Sequence, residues 1–232
     1  MAQPVAIVTG ASRGVGRAIA RRLLMEDWRV AGVARSEEAL RDMEKEWPSF
    51  RGFVADVRDR ARAKAIVEEV EKTWGPVDAL IANAGVGHYA PTWELSEDHW
   101  DEMLEVNLKG PFLWSQAVLP SMMARKKGHL LFISSVAGTT TFPGGAGYCA
   151  SKWGLMALAD TLRQEVKPYE LRVTVVAPGS IQTGFAGSPI KPYSLLPEDV
   201  AEACWHALSA PERVIYGTII MRPKVPGELG GA

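Results

Sequence analysis

A serine, a tyrosine and a lysine, Ser135, Tyr148 and Lys152, have types and spacing suited to delivering a proton to a carbonyl oxygen. If Tyr148-Cys149-Ala150-Ser151-Lys152 is helical, the phenol and the ammonium project from one face. A cation beside a phenol favours the phenolate, because it stabilises the charge that forms when the proton leaves. The pair therefore predicts a tyrosine usable as an acid near neutral pH, with Ser135 holding the oxygen that receives the proton. Ser134 reads instead as a structural hydroxyl at a strand end, since buried hydroxyls usually find backbone partners.

A second chemical signal stands near the N-terminus. Thr9-Gly10-Ala11-Ser12-Arg13-Gly14-Val15-Gly16 follows an apolar run and opens an amphipathic one. In that context glycines let a backbone approach a pyrophosphate, and helix N-terminal amides receive its charge. The spacing is GxxxGxG rather than GxGxxG, so the match is one of physical logic and not of letters. An NAD site places a carboxylate near the end of the second strand to hold the ribose 2′-hydroxyl. This chain has Ala34-Arg35-Ser36 there. Arg35 offers a planar fork of donors to a 2′-phosphate, and Arg13 can approach the same group, so the two arginines point to NADP(H).

These residues need a frame, and the chain supplies an alternating one. Short β-branched runs at Val5 to Thr9, Val30 to Ala34, Gly52 to Ala55, Ala79 to Ala82, His129 to Ser134, Val173 to Ala177 and Gly217 to Met221 read as strands. Helices are predicted at Gly14 to Met25, Glu37 to Glu46, Arg60 to Thr73, Ser96 to Lys126, Tyr148 to Val166 and Pro197 to Leu208. Alternation of this kind predicts an α/β fold: one doubly wound domain over residues 1–222, with a seven-stranded, mainly parallel sheet and helices on both faces. Residues 184–196 read as a short lid and 223–232 as an irregular tail. Of the eight tryptophans, all but the loop residue Trp93 are expected to pack between helices and sheet.

With these pieces in order, the chain resembles the short-chain dehydrogenase/reductase family from Val5 to about Met221. The markers are the TGxxxGxG loop at Thr9 to Gly16, Asp56, Asn83-Ala84-Gly85, Asn107, Ser135, the YxxxK pair Tyr148 and Lys152, and Pro178-Gly179. The resemblance implies a Rossmann-type sheet, hydride transfer and a homodimer or homotetramer. It implies that Lys152 reaches the nicotinamide ribose, that Asn107 anchors a water chain returning protons to the lysine, and that Ile181 and Thr183 meet the nicotinamide carboxamide. The implied cofactor-binding set is Gly10, Ser12, Arg13, Gly14, Val15, Gly16, Arg35, Asp56, Val57, Asn83, Ala84, Gly85, Tyr148, Lys152, Pro178, Gly179, Ile181 and Thr183. Asp56 serves equally as an N-cap of the following helix, and the two roles are compatible.

Composition removes other classes. Lys+Arg 26 against Asp+Glu 27 gives a net charge of −1, so no overall field draws the chain to nucleic acid or an anionic membrane. Arg125-Lys126-Lys127 reads as a solvated helix end. Cys149 and Cys204 form no CxxC, and the four histidines show no metal-ligand spacing. No apolar run reaches the roughly 18 residues of a membrane span, and a cytoplasmic, soluble protein is expected.

The lid holds Phe185, Tyr193, Leu195 and Leu196, and His88, Tyr89 and Trp93 are candidates for the opposite wall, with a plain loop role open for His88. Ile219-Ile220-Met221-Arg222-Pro223 replaces the aspartate and paired glycines that often close family members, which weakens a specific assignment as 3-oxoacyl carrier-protein reductase. A dimer through the helices of Asn107 and Tyr148 is expected from the small residues Ala150, Gly154, Ala157 and Ala159. The function expected is an NADPH-dependent carbonyl reductase or alcohol dehydrogenase acting on a small or medium apolar ketone, aldehyde or 3-oxoacyl compound. A 3-oxoacyl-acyl carrier protein reductase specifically is the first alternative, followed by a non-catalytic NADP(H)-binding regulator, an epimerase and a dehydratase.

Overall fold

The computed structural model describes residues 3–187 and 190–224. Ser188 and Pro189 of the expected lid, and all but Pro223 and Lys224 of the expected tail, lie outside them. Strands β1 (Val5–Thr9), β2 (Arg29–Ala34), β3 (Phe50–Val54), β4 (Ala79–Ala82), β5 (His129–Ile133), β6 (Arg172–Pro178) and β7 (Thr218–Met221) form one sheet. Their order is β3-β2-β1-β4-β5-β6-β7, and every pairing among them is parallel. The order reverses between β1 and β4, where a doubly wound sheet leaves a crevice at its carboxyl edge.

Each buried strand feeds two cores because successive side chains point to opposite faces. Val5 and Ile7 join Trp114, Val118 and Leu155 on one face, while Ala6 and Val8 join Ile19, Leu23 and Val200 on the other. The first face is covered by α3 (Arg60–Trp74), α5 (Gly110–Arg125) and α6 (Ala146–Glu165). The second is covered by α1 (Gly14–Met25), α2 (Glu37–Glu46) and α7 (Pro197–Leu208). Burial on both sides accounts for strands that are apolar throughout.

The long helix expected from Ser96 to Lys126 is not continuous. It runs as α4 (Glu97–Leu104), a π turn over Glu105–Lys109, and α5. Ser96 caps α4 by accepting from the His99 amide. Pro111 stands in the first turn of α5, where a missing N–H costs nothing, and Gly110 lets the backbone close on Val57. The apolar period runs through the π turn unbroken, so only the hydrogen-bond pattern reveals it. Trp153 also departs from expectation, since it is 48% exposed on α6.

The glycine loop is closed by side chains from β4. The Thr9 hydroxyl accepts from the amides of Asn83 and Ala84 at 3.0 and 3.1 Å, and the Asn83 amide group donates to the Thr9 carbonyl at 2.9 Å. Gly10 has φ +70°, and a Cβ there would press on the Ala84 backbone; one at Gly16 would overlap the Gly10 carbonyl oxygen. Loop and turn thus meet backbone to backbone.

Candidate active site

Tyr148 and Lys152 lie one turn apart near the start of α6, both buried, and Ser135 follows β5 at the same edge of the sheet. Ser135 accepts the Ala137 amide at 3.1 Å and so caps a 3-10 turn over Val136–Gly138, which fixes its hydroxyl beside the phenol. Ser134 is buried, and its hydroxyl points to the Lys152 carbonyl at 3.4 Å, the structural role expected of it. Lys152 Nζ donates to the Ile133 carbonyl at 2.9 Å and lies 5.8 Å from the centre of the Tyr148 ring.

The charges in this cluster differ from expectation. Burial pushes the Tyr148 phenol well above its ordinary value, with the Tyr89 hydroxyl adding to the rise and Ser135 opposing it. Burial likewise lowers the Lys152 ammonium from 10.5 to about 8. Desolvation penalises the charged form of each side chain, and in the protein alone the phenol lies above its ordinary value rather than below it. Spacing gives proximity of charges; it carries no information on how far water is excluded.

Asn107 sits in the π turn, fully buried, with its side chain committed. Its amide donates to the Val86 carbonyl at 2.9 Å and to Ser151 Oγ at 3.0 Å, and its carbonyl oxygen accepts the Val86 amide at 2.8 Å. Asn107 therefore ties the segment after Gly85 to α6 through side-chain bonds, leaving only its main chain for any water. Gly85 itself has no side chain because a Cβ would meet Asn107 Oδ1 at 3.3 Å and approach Lys152 Nζ at 3.7 Å.

The expected cofactor residues line the carboxyl edge from α1 to β6. Arg13 is the N-cap of α1 but makes no side-chain cap, so the first-turn amides keep their donors for another acceptor. Gly14, at φ +53°, faces Thr183 across the cleft. Arg13 and Arg35 are both exposed and, among the described residues, in no ion pair. Ser12 and Val15 are half-buried within the loop. A cradle of free amides with free guanidinium groups at its rim fits an anionic dinucleotide.

One assignment is corrected. Asp56 does not cap α3; Asp59 does, accepting the Arg62 amide at 2.9 Å. Asp56 is gripped by Arg58, whose Nε and Nη2 reach its two oxygens at 3.0 and 2.7 Å, and its carboxyl is held below its ordinary value, chiefly by Arg58 and further by Arg35. Val57 has its side chain buried against Gly110. Gly179 is packed under Pro223 and donates to the Met221 carbonyl at 2.8 Å, so it anchors β7, while Pro178 ends β6.

Arg58 has no motif to announce it, and it also reaches Glu105 in the π turn at 3.3 Å. His88, without a partner in the sequence pattern, bonds Glu102 at 2.7 Å and stacks on His99 at 3.9 Å. Ile181 pairs with Leu195, and Ser180 Oγ meets Ser194 Oγ at 2.7 Å, so the described ends of the lid are stitched together at its base. Among the described residues no group of three His, Cys, Asp or Glu is placed to hold a metal, and no helix is long and apolar enough to cross a membrane.

The short chain dehydrogenase family profile matches residues 4–192. The chain belongs to that family. Glycine betaine reductase ATRR of Emericella nidulans is 38% identical over 95% of this chain, which spans only 19% of that relative's length. 3-oxoacyl acyl-carrier-protein reductase FabG of Salmonella typhimurium is 37% identical over 77% of this chain and 74% of its own. Among solved structures, an alcohol dehydrogenase of Thermococcus sibiricus complexed with 5-hydroxy-NADP superposes with a TM-score of 0.88 at 34% identity, covering 97% of this chain and 99% of that one. The family and the site together make this chain an oxidoreductase of nicotinamide-dependent type.

The buried ammonium gives a testable pH dependence. Between about pH 8 and 10.5 the unfolded chain holds the Lys152 proton and the folded chain does not, so this group makes stability rise with pH across that window. In urea unfolding, Lys152→Met is expected to gain most over the wild type below pH 8, with the difference shrinking toward pH 10.5. A difference independent of pH would contradict the buried, destabilised ammonium.

Proposed function

We propose that the chain is an NADPH-dependent carbonyl reductase or alcohol dehydrogenase for a small or medium carbonyl compound flanked by apolar surface. The observation that carries this reading is the convergence of Ser135, Tyr148 and a fully buried Lys152 beside a dinucleotide cradle. When bound, NADPH supplies the hydride that reduces the carbonyl carbon. Arg13 and Arg35 hold the 2′-phosphate, which a carboxylate at the same place would repel. The α1 amides take the pyrophosphate, Asn83 to Gly85 the adenosine side, and Ile181 and Thr183 the carboxamide. Asp56, already clamped by Arg58, borders the adenine through its fixed carboxylate edge.

Tyr148 donates its proton to the carbonyl oxygen as negative charge collects there, and Ser135 donates a hydrogen bond to the same oxygen. The raised pKa keeps the phenol protonated until it is needed. Lys152, poised near pH 8, restores the proton from within the same desolvated cluster and binds the ribose. Asn107 contributes by fixing Val86 and α6, and its backbone carbonyl in the π turn anchors the returning water chain.

The relatives named for 3-oxoacyl and glycine betaine chemistry differ in what they act on. A carrier-protein substrate would need a docking surface for the carrier, and the site mouth here is acidic from Glu94 to Asp98 rather than basic. A free carbonyl compound is the better reading.

Self-association belongs to the same reading. A groove of about 410 Å³ runs between the π turn, α5 and α6, lined by Leu104, Leu108, Phe112 and Leu158. Next to it on α6, Ala150, Trp153 and Ala157 are exposed, while Ala159, expected in this surface, is buried in the core. A second copy of the chain is the natural cover for helices of this length and apolarity.

Tyr148→Phe is expected to keep NADPH binding, read by fluorescence titration, while turnover falls about 10² to 10⁴-fold. Retained turnover would overturn the assigned acid. Arg35→Asp is expected to shift the NADPH-to-NADH ratio of kcat/KM by roughly tenfold to a hundredfold; an unchanged ratio would remove the argument from the arginines. Light scattering at micromolar concentration should give a multiple of 25.2 kDa, and a monomeric mass would exclude the helix-to-helix dimer.

A further inference from the structure

Tyr148 is surrounded by other aromatic rings. Tyr89 meets it edge to face with centroids 5.7 Å apart, Phe185 leans against it at 5.7 Å, and Phe142 stands edge to face with Tyr89 at 5.5 Å. Tyr89 and Phe142 are each 41% exposed, so much of their ring surface is free for a ligand. Beside them opens a cavity of about 590 Å³ whose lining includes Tyr89, His88, Glu94, His99 and Ala186, with no lysine or arginine.

The charge around this cavity has one sign. From Val86 to Leu108 the chain carries Glu94, Glu97, Asp98, Asp101, Glu102 and Glu105 and no lysine or arginine. Glu102 is engaged by His88, and Glu105 by Arg58 and Lys109. The other four make no ion pair among the described residues. The two imidazoles are stacked within 7° of parallel at 3.9 Å, and His88 Nε2 meets Glu102 at 2.7 Å. The mouth therefore stays negative and concentrates cations.

Aromatic faces beside a negative rim favour one kind of ligand. Ring faces attract a cation through their quadrupole, most effectively when its charge is spread over alkyl groups and it sheds water easily. They offer no acceptors to a primary ammonium and repel a carboxylate or phosphate. A neutral apolar tail would be served by the rings alone and would leave the carboxylates without a partner.

We propose that the substrate of this chain bears a quaternary or highly alkylated ammonium group, held by Tyr89, Phe142 and Phe185 and drawn in by Glu94, so that its aldehyde or ketone reaches Tyr148. The proposal rests on the reductase reading for the carbonyl and on the aromatic walls and charge for the cation. Tyr89 and Glu94 then determine specificity, since they touch the part of the substrate that does not react.

Two pairs of isosteres test the cation apart from the reaction. Choline and 3,3-dimethylbutan-1-ol share a branched shape and differ in the charge; so do trimethylammonioacetaldehyde and 3,3-dimethylbutanal. Calorimetry on the NADP⁺-loaded protein is expected to give choline a roughly tenfold tighter Kd than its neutral isostere. NADPH oxidation should favour the charged aldehyde, and Tyr89→Leu and Glu94→Gln should each move both ratios toward one, with Tyr89→Phe retaining them. Because each variant is compared on two ligands, damage common to both cancels. Equal or tighter binding of the neutral alcohol, or ratios that survive both substitutions, overturns the cation pocket while turnover of both aldehydes upholds the reductase. Preference for choline with no NADPH oxidation by any carbonyl compound upholds the pocket and sinks the reductase.

Discussion

An ammonium group removed from water constrains everything around it. Lys152 has one protein acceptor, the Ile133 carbonyl, and its pKa falls to about 8 because that single bond does not replace hydration. To hold the lysine there, α6 must dock with its first turns over the end of β5, which needs Gly138 and Gly147 at close approaches to Lys152 and Met103. The same docking buries Tyr148 and sets Ser135 beside it. An exposed lysine at the same spacing would stay fully charged and would give the phenol a different acidity.

The π turn belongs to this constraint. Inserting it between α4 and α5 rotates Asn107 into the interior, where its side chain fastens the Val86 backbone and Ser151 together. That triangle fixes the segment after Gly85 against α6 and holds the backbone nearest the lysine in place. Arg58 extends the fastening outward, since it bridges Asp56 after β3 and Glu105 at the start of the π turn. Such turns recur at functional sites because they place one residue that a regular helix would leave outside.

Much of this was legible in the sequence, and the exceptions have a common cause. β1, β4, α1, α2 and α7 have the bounds that periodicity and punctuation predict, because those signals are local. Ser135, Tyr148, Lys152 and the glycine loop were legible because their chemistry requires fixed types at fixed spacing. The π turn was not, since Leu104, Leu108 and Phe112 keep an ordinary helical period while the hydrogen bonds shift beneath it. Arg58 and the His88–Glu102 pair are long-range or side-chain-specific contacts that no spacing rule encodes. The acidity of Tyr148 is not legible in the sequence for a related reason: the i, i+4 rule locates a neighbour, but desolvation is a property of the whole fold.

The wall of the site shows how one scaffold can carry different specificities. The Thr9 hydroxyl and the Asn83 side-chain amide bond the facing backbone, and a Cβ at Gly10 or Gly16 would collide there, so this half of the crevice tolerates little change. Tyr89, Phe142 and Phe185 instead project from connections after β4, β5 and β6, whose tips are free of the sheet. Gly87 even yields its side-chain volume to Phe185, which brings two of those connections into contact over Tyr148. A substitution in these loops alters what touches the substrate without moving the phenol or the lysine. On the proposed reading, chemistry is fixed by the strand ends and α6, while the choice of carbonyl compound is left to three aromatic side chains and the carboxylates behind them.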